Sequence, residues 1–177
     1  AVDTLQVLSP FEYMKEYNMK KGSVKINDKL LYREDEKNEV LQNITDNDIT
    51  LISGKSGCGK THLILDIMIN DESQLNKYKI LCIKNRNQNL FDDLKKHLKK
   101  DNKYIIFIDD INNINDIGQI LYFLNPINNL ELKIVATVRD YAKSKVIEKI
   151  KTEENKTDNY YDIGYTDSYI AKPFWLK

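Results

Sequence analysis

The sequence predicts an α/β fold, a mainly parallel sheet of five strands with helices on both faces. Three observations carry that expectation. Short apolar runs bounded by turn formers alternate with stretches of helical spacing. The runs are apolar throughout rather than at every second residue, the mark of strands buried on both faces. The residues able to do chemistry fall just after the runs, where ligands sit in sheets of this kind.

The elements follow in order. Residues 1–28 read as an N-terminal linker and helical segment, with Ser9-Pro10 starting a short helix and Gly22 stopping it. A core from 29 to 177 comes next. Asp35 can cap a helix in which Val40, Leu41 and Ile44 share a face. "DITLISG", ending at Gly54, is the first buried strand. "KTHLILDIMIN" has helical spacing at Leu63, Ile64, Ile67 and Met68. Residues 78–84 form the second strand. Residues 88–100 form an amphipathic helix with Leu90, Phe91, Leu94 and Leu98 on one stripe. The third strand, 103–110, ends in two acids. A helix is expected over 114–125, and the fourth strand over 132–140. "YAKSKVIEKIK" is helical, and 159–165 is the fifth strand. The aromatic tail, from Tyr160 to Trp175, reads as a terminal segment covering the sheet edge.

Composition narrows the function. The chain has 177 residues, enough for one domain with a core. Lys plus Arg is 27 and Asp plus Glu is 27, so no net field draws it to nucleic acid or a membrane surface. No apolar run approaches the roughly 20 residues of a membrane span. The start lacks a signal-peptide layout and an initiator Met, and the chain is read as a piece of a longer, cytoplasmic protein. Cys58 and Cys82 are expected as buried, reduced thiols. His62 and His97 lie too far apart to suggest zinc.

"GKSGCGKT", residues 54–61, fits G-x-x-x-x-G-K-[ST]. The glycines let the backbone wrap, so that successive N–H groups face phosphate oxygens. The helix that follows adds unpaired N–H groups and its positive end. Gly54, Lys55, Ser56, Gly57, Cys58, Gly59, Lys60, Thr61 and His62 form the expected nucleotide cradle. Lys60 is expected on the β and γ phosphates, and the Thr61 hydroxyl on Mg²⁺. A flexible turn is the alternative, and the strand before and helix after argue against it.

Asp109 suits a Mg²⁺ ligand acting through water, and Asp110 a group that orients or deprotonates the attacking water. Capping of the next segment is the plainer reading of these acids. Asp110 is one methylene shorter than Glu, which points to slow turnover. Thr137 and Arg139 sit at the tip of the fourth strand, where a polar or cationic group can sense the γ phosphate. Lys60, Asp110 and Arg139 are thus the expected catalytic residues.

One strand intervenes between the loop strand and the acid strand. That is the arrangement of P-loop ATPases with an added catalytic acid, and not of nucleotide kinases or small GTPases. The expected architecture is a three-layer α/β/α P-loop NTPase with sheet order 5-1-4-3-2. "LYREDEKNEVLQNI", "ITLISGKSGCGKTHLI", "YIIFIDDI" and "KIVATVRDYA" together resemble a STAND ATPase, nearest to the novel STAND group of bacterial signalling and anti-phage defence proteins. The resemblance implies an ATP/ADP switch inside a longer protein, with effector and sensor domains, that self-associates through the NTPase domain when triggered. It also places Arg33, within Tyr32-Arg33-Glu34, in a box that contacts nucleotide. No lid or winged-helix pattern follows residue 150, and no arginine finger can be named. A motor or loader of the AAA+ type, a binding module with a degenerate loop, and a small P-loop kinase remain open as other functions.

Overall fold

The computed structural model of the chain describes residues 7–19, 34–70, 75–84, 90–155 and 164–170. The segment begins with β1 (Val7–Leu8) and α1 (Pro10–Met19). Ser9 and Glu12 form a reciprocal cap: the Ser9 N–H donates to Glu12 Oε2 at 3.0 Å, and the Glu12 N–H to Ser9 Oγ at 3.3 Å. Gly22, the expected stop, lies outside the described residues. Then come α2 (Glu34–Asp46), β2 (Ile49–Gly54), α3 (Lys60–Asn70) and β3 (Lys79–Ile83). They are followed by α4 (Leu90–His97), β4 (Lys103–Ile108), α5 (Gly118–Leu121) and β5 (Glu131–Arg139). The last are α6 (Lys143–Asn155) and β6 (Tyr165–Ile170).

The sheet has six strands in the order β1-β3-β4-β5-β2-β6. All pairs are parallel except β1 with β3. The expected order is reproduced by β6-β2-β5-β4-β3, and β1 is an addition at the far edge. Five strands was therefore one too few. β1 is two residues long, too short to leave a period of two in the sequence. It pairs Val7 with Ile83 and Leu8 with Cys82, closing an edge that would otherwise be open.

Two further expectations are corrected. The last strand runs over Tyr165–Ile170 and not over 159–165; residues 159–163 lie outside the described residues. Its start is fixed by Asp48 rather than by aromatic content. The Asp48 and Ile49 N–H groups both donate to the Gly164 carbonyl at 3.0 Å, and the Gly164 N–H donates to Asp48 Oδ2 at 3.0 Å. That clasp sets Tyr165 opposite Ile49 and Ile170 opposite Gly54. The segment 114–125 is not one helix. It is the single turn α5 followed by a 3₁₀ turn at Tyr122–Leu124. Ile117, Ile120 and Leu121 keep helical spacing and are buried. The tighter turn then rotates Phe123 inward, where its ring stacks on Phe91 at 5.3 Å. Pro126 begins a further short turn.

Alternation along the strands sends side chains to two cores. On one face Leu51, Ile106, Ile108, Ile134 and Ala136 pack with Leu94, Ile120, Leu121, Val146 and Ile150 of α4, α5 and α6. On the other, Ile52, Cys82, Ile105, Phe107 and Val135 pack with Tyr13, Val40, Leu41, Ile44 and the apolar residues of α3. A buried ion pair, Lys37 Nζ to Asp66 Oδ2 at 3.2 Å, joins α2 to α3. Asn70 Nδ2 donates to the same carboxylate at 2.7 Å. No helix among the described residues is long and apolar enough to cross a membrane.

Candidate functional site

The site is assembled at the carboxyl ends of β2, β4 and β5. β2 stops at Gly54, and α3 starts six residues later at Lys60. The connecting loop needs left-handed backbone at two points, Gly57 (φ 76°) and Gly59 (φ 92°). Glycine adopts these angles without a Cβ clash. The Cys58 N–H donates to the Lys55 carbonyl at 3.3 Å, and the Leu63 N–H to the Gly59 carbonyl at 3.0 Å. The loop is thus a tight turn running directly into a helix. Lys55, Ser56 and Gly57 are exposed, whereas Cys58 and Lys60 are buried. The Lys60 ammonium reaches back across the loop. It donates to the carbonyls of Gly54 (2.9 Å) and Lys55 (2.8 Å) and lies 3.8 Å from Cys58 Sγ.

The acids connect to this loop through two threonines. Thr61 Oγ1 donates to Asp109 Oδ1 at 2.7 Å. Thr137 Oγ1, fully buried on β5, donates to the same oxygen at 2.7 Å. The Asp110 N–H in turn donates to Thr137 Oγ1 at 2.7 Å. One hydroxyl therefore fixes the carboxylate of Asp109 and the backbone of Asp110. The second bond holds a strained residue, because Asp110 has left-handed angles (φ 49°, ψ 61°). Such a conformation costs a non-glycine residue about 1–2 kcal/mol and persists where its surroundings enforce it. Arg139 Nε lies 3.7 Å from Asp110 Oδ1. Burial, and then the charge of Asp109, raise the Asp110 carboxyl above its ordinary value, while Arg139 and Lys60 pull it back.

The structure brings together Gly54, Lys55, Ser56, Gly57, Cys58, Gly59, Lys60, Thr61, Asp109, Asp110 and Arg139. His62 follows in the first turn of α3, buried, with its ring edge-on to Tyr17 at 6.2 Å. Arg33 lies outside the described residues. Thr137 is the residue whose part was underestimated. Strand alternation could have found it, since it shares a face with Val135 and points toward α3. Tyr17 carried no signal in the sequence.

The donor set suits the groups expected there. A hydroxyl and a carboxylate, already in contact, are hard oxygen ligands of the kind Mg²⁺ takes. No cluster of three or more His, Cys, Asp or Glu that could hold a metal occurs among the described residues. Mg²⁺ does not need one, since it keeps several waters and borrows oxygens from phosphate. The loop supplies exposed backbone at a helix start and a lysine beside it, as a phosphate group needs.

A glycine loop between strand and helix, facing acids on a non-adjacent strand of a parallel sheet, defines a P-loop NTPase fold. Within that class the chain belongs to the novel STAND NTPase 3 family, whose model matches residues 31–169. Among curated proteins none is similar enough in sequence to count as a relative. Solved structures with the same fold include the yeast (S. cerevisiae) Hsp104–ADP complex, at TM-score 0.60 and 18% identity. That match covers 94% of this chain and 30% of the other. C. elegans PCH-2 matches at TM-score 0.50 and 17% identity, over 86% of this chain and 47% of that one. The chain thus spans less than half of either, and at these identities the likeness is one of fold.

Proposed function

We propose that this domain binds Mg-ATP, hydrolyses it slowly to ADP, and acts as a nucleotide switch that controls self-association of an attached effector. The observation that carries the proposal is the unbroken set of contacts Thr61–Asp109–Thr137–Asp110–Arg139, which ties the glycine-loop helix to the tips of β4 and β5. Lys60 exchanges the carbonyls of Gly54 and Lys55 for β and γ phosphate oxygens. Thr61 holds Mg²⁺ directly and Asp109 holds it through water. The ion, when bound, neutralises charge on the transferring phosphoryl group. Asp110 orients the attacking water and takes its proton. Arg139 reads the γ phosphate, and doing so draws it from Asp110.

ATP and ADP as the ligands are supported by the NTPase family and by the ADP bound in the Hsp104 structure. The switch, the effector and sensor domains, a cytoplasmic location and a part in antiviral defence rest on the STAND likeness. Two buried thiols outside any disulfide, Cys58 and Cys82, agree with a reducing compartment.

Calorimetry tests the core of this. Mg-ATP and Mg-ADP should bind the wild-type domain and fail to bind Lys60→Ala, with phosphate released at well under one turnover per second. A folded wild-type domain with no Mg-dependent nucleotide affinity would overturn the proposal.

A further inference from the structure

The helix α1 lies outside the segment matched by the family model, which starts at residue 31. It is nonetheless fastened to the domain at several points. β1, directly before it, pairs with β3. Glu16, on its last turns, accepts from Lys84 Nζ at 2.9 Å, just past the end of β3. Two tyrosines one turn apart, Tyr13 and Tyr17, face inward. The Tyr13 ring meets Phe107 edge-on at 5.5 Å, and Phe107 lies two residues before Asp109 on β4. The Tyr17 ring meets His62 edge-on at 6.2 Å, and His62 directly follows Thr61. One face of α1 therefore touches both the strand that presents the acids and the helix turn that presents the threonine. Burial, and then the carboxylates Asp109 and Asp110, hold the Tyr17 hydroxyl above the ordinary phenol range, which agrees with a place beside the site.

We infer that α1 is a brace on the nucleotide site: Tyr17, a positioning residue, holds His62 and through it the first turn of α3, so that docking of residues 10–19 and binding of Mg-nucleotide strengthen each other. This rests on the proposed function. The physical reason is linkage. The first turn of α3 carries the N–H groups that face phosphate. A ligand that orders this turn makes the His62 surface a firmer partner for Tyr17, and by reciprocity a docked α1 raises affinity for that ligand. A helix that merely covered apolar surface would be indifferent to the ligand.

Hydrogen–deuterium exchange on the full chain, with Mg-ADP and with a non-hydrolysable Mg-ATP analogue, tests the coupling. Amides of residues 11–19 should exchange at least about 5-fold more slowly with ligand bound, the low end of ordinary coupling. Protection of residues 54–62 with no change in 11–19 would overturn the inference. In binding assays Tyr17→Leu should weaken Mg-ADP affinity roughly 3- to 10-fold, and Tyr17→Phe, which keeps the ring, should restore it. Phe11→Ala, at a residue 65% exposed on the same helix, should change neither readout. Wild-type affinity in Tyr17→Leu would sink the brace. Failure of the functional proposal looks different: residues 54–62 gain no protection and the wild type binds no nucleotide, and the brace then falls with it.

Discussion

The face of the sheet covered by α1, α2 and α3 buries Lys37, Thr50, Lys60, His62, Asp66 and Thr137, whereas the face covered by α4, α5 and α6 buries only Ser53 and Asp93 as polar residues among those described. Each buried polar group is a liability unless it is paired. On the first face several of these groups are specifically paired, although the Thr50 hydroxyl has no hydrogen-bond partner among the described residues. Lys60 is held by two carbonyls, Thr137 by both acids, and Lys37 by Asp66. On the second face, branched and aromatic side chains fill most of the space, and directed polar contact is confined to links such as Ser53 Oγ donating to Asp167 Oδ1 at 2.7 Å. The difference separates two tasks. One face fixes the directions of several polar atoms at the strand tips, and the other supplies chiefly apolar burial with less demand on direction.

If that division is right, the polar face should be intolerant of half-removed pairs. Lys37→Met leaves the Asp66 carboxylate buried without its cation, a loss of about 3–5 kcal/mol in denaturant unfolding. Replacing both, as Lys37→Met with Asp66→Leu, should recover most of the loss, because the pair itself contributes little beyond a packed apolar contact. A neutral Lys37→Met would break the comparison outright. The apolar face should fail differently. Ile106→Ala removes a fully buried side chain and should cost about 2–5 kcal/mol, while the protein that remains folded binds Mg-ADP as the wild type does. Loss of affinity there, in protein shown to be folded, would mean that the two faces are not separate.

Thr137 sharpens the point at a single atom. Thr137→Val keeps shape and loses the hydroxyl that donates to Asp109 and accepts from Asp110. A hydrogen bond to a charged group contributes about 1.5–3 kcal/mol, so hydrolysis should slow roughly 10- to 100-fold. Thr137→Ser should restore it. Equal rates in Thr137→Val and wild type would show that the acids are oriented by something else.

The same division decided what could be read in the sequence. β2, β4 and β5 were legible because central parallel strands are apolar along their whole length, and the glycine loop because its spacing follows from wrapping a phosphate. Asp109, Asp110 and Arg139 were legible from their places at strand tips. What escaped depends on contacts between distant segments. β1 exists because β3 offers an edge, and Tyr165 begins β6 because Asp48 clasps Gly164. Thr137 was placed at the tip, but its bonds to two acids required the register of β4 against β5. The break in the helix expected over 114–125 is of the same kind, since the 3₁₀ turn sets Phe123 against Phe91, a residue of a separate element.

The smallest effect tests that broken segment. Gly118 opens α5, and its N–H donates to Asp116 Oδ1 at 3.0 Å. A Cβ there would come within 2.8 Å of Glu153 Oε1 on α6, and within 3.0 Å of Asp116 Oδ1. The obstruction from α6 is the far end of a flexible, half-buried side chain, so Glu153 can move aside. Alanine gains about 1 kcal/mol over glycine within a helix, and displacing Glu153 offsets part of it. Gly118→Ala should therefore change stability by less than about 1 kcal/mol in thermal unfolding. In a Glu153→Ala background the obstruction from α6 is gone, and the same substitution should stabilise by about 0.5–1 kcal/mol. A large loss in both backgrounds would mean that α5 is held by close backbone approach to α6, and that even the apolar face depends on direction at this one contact.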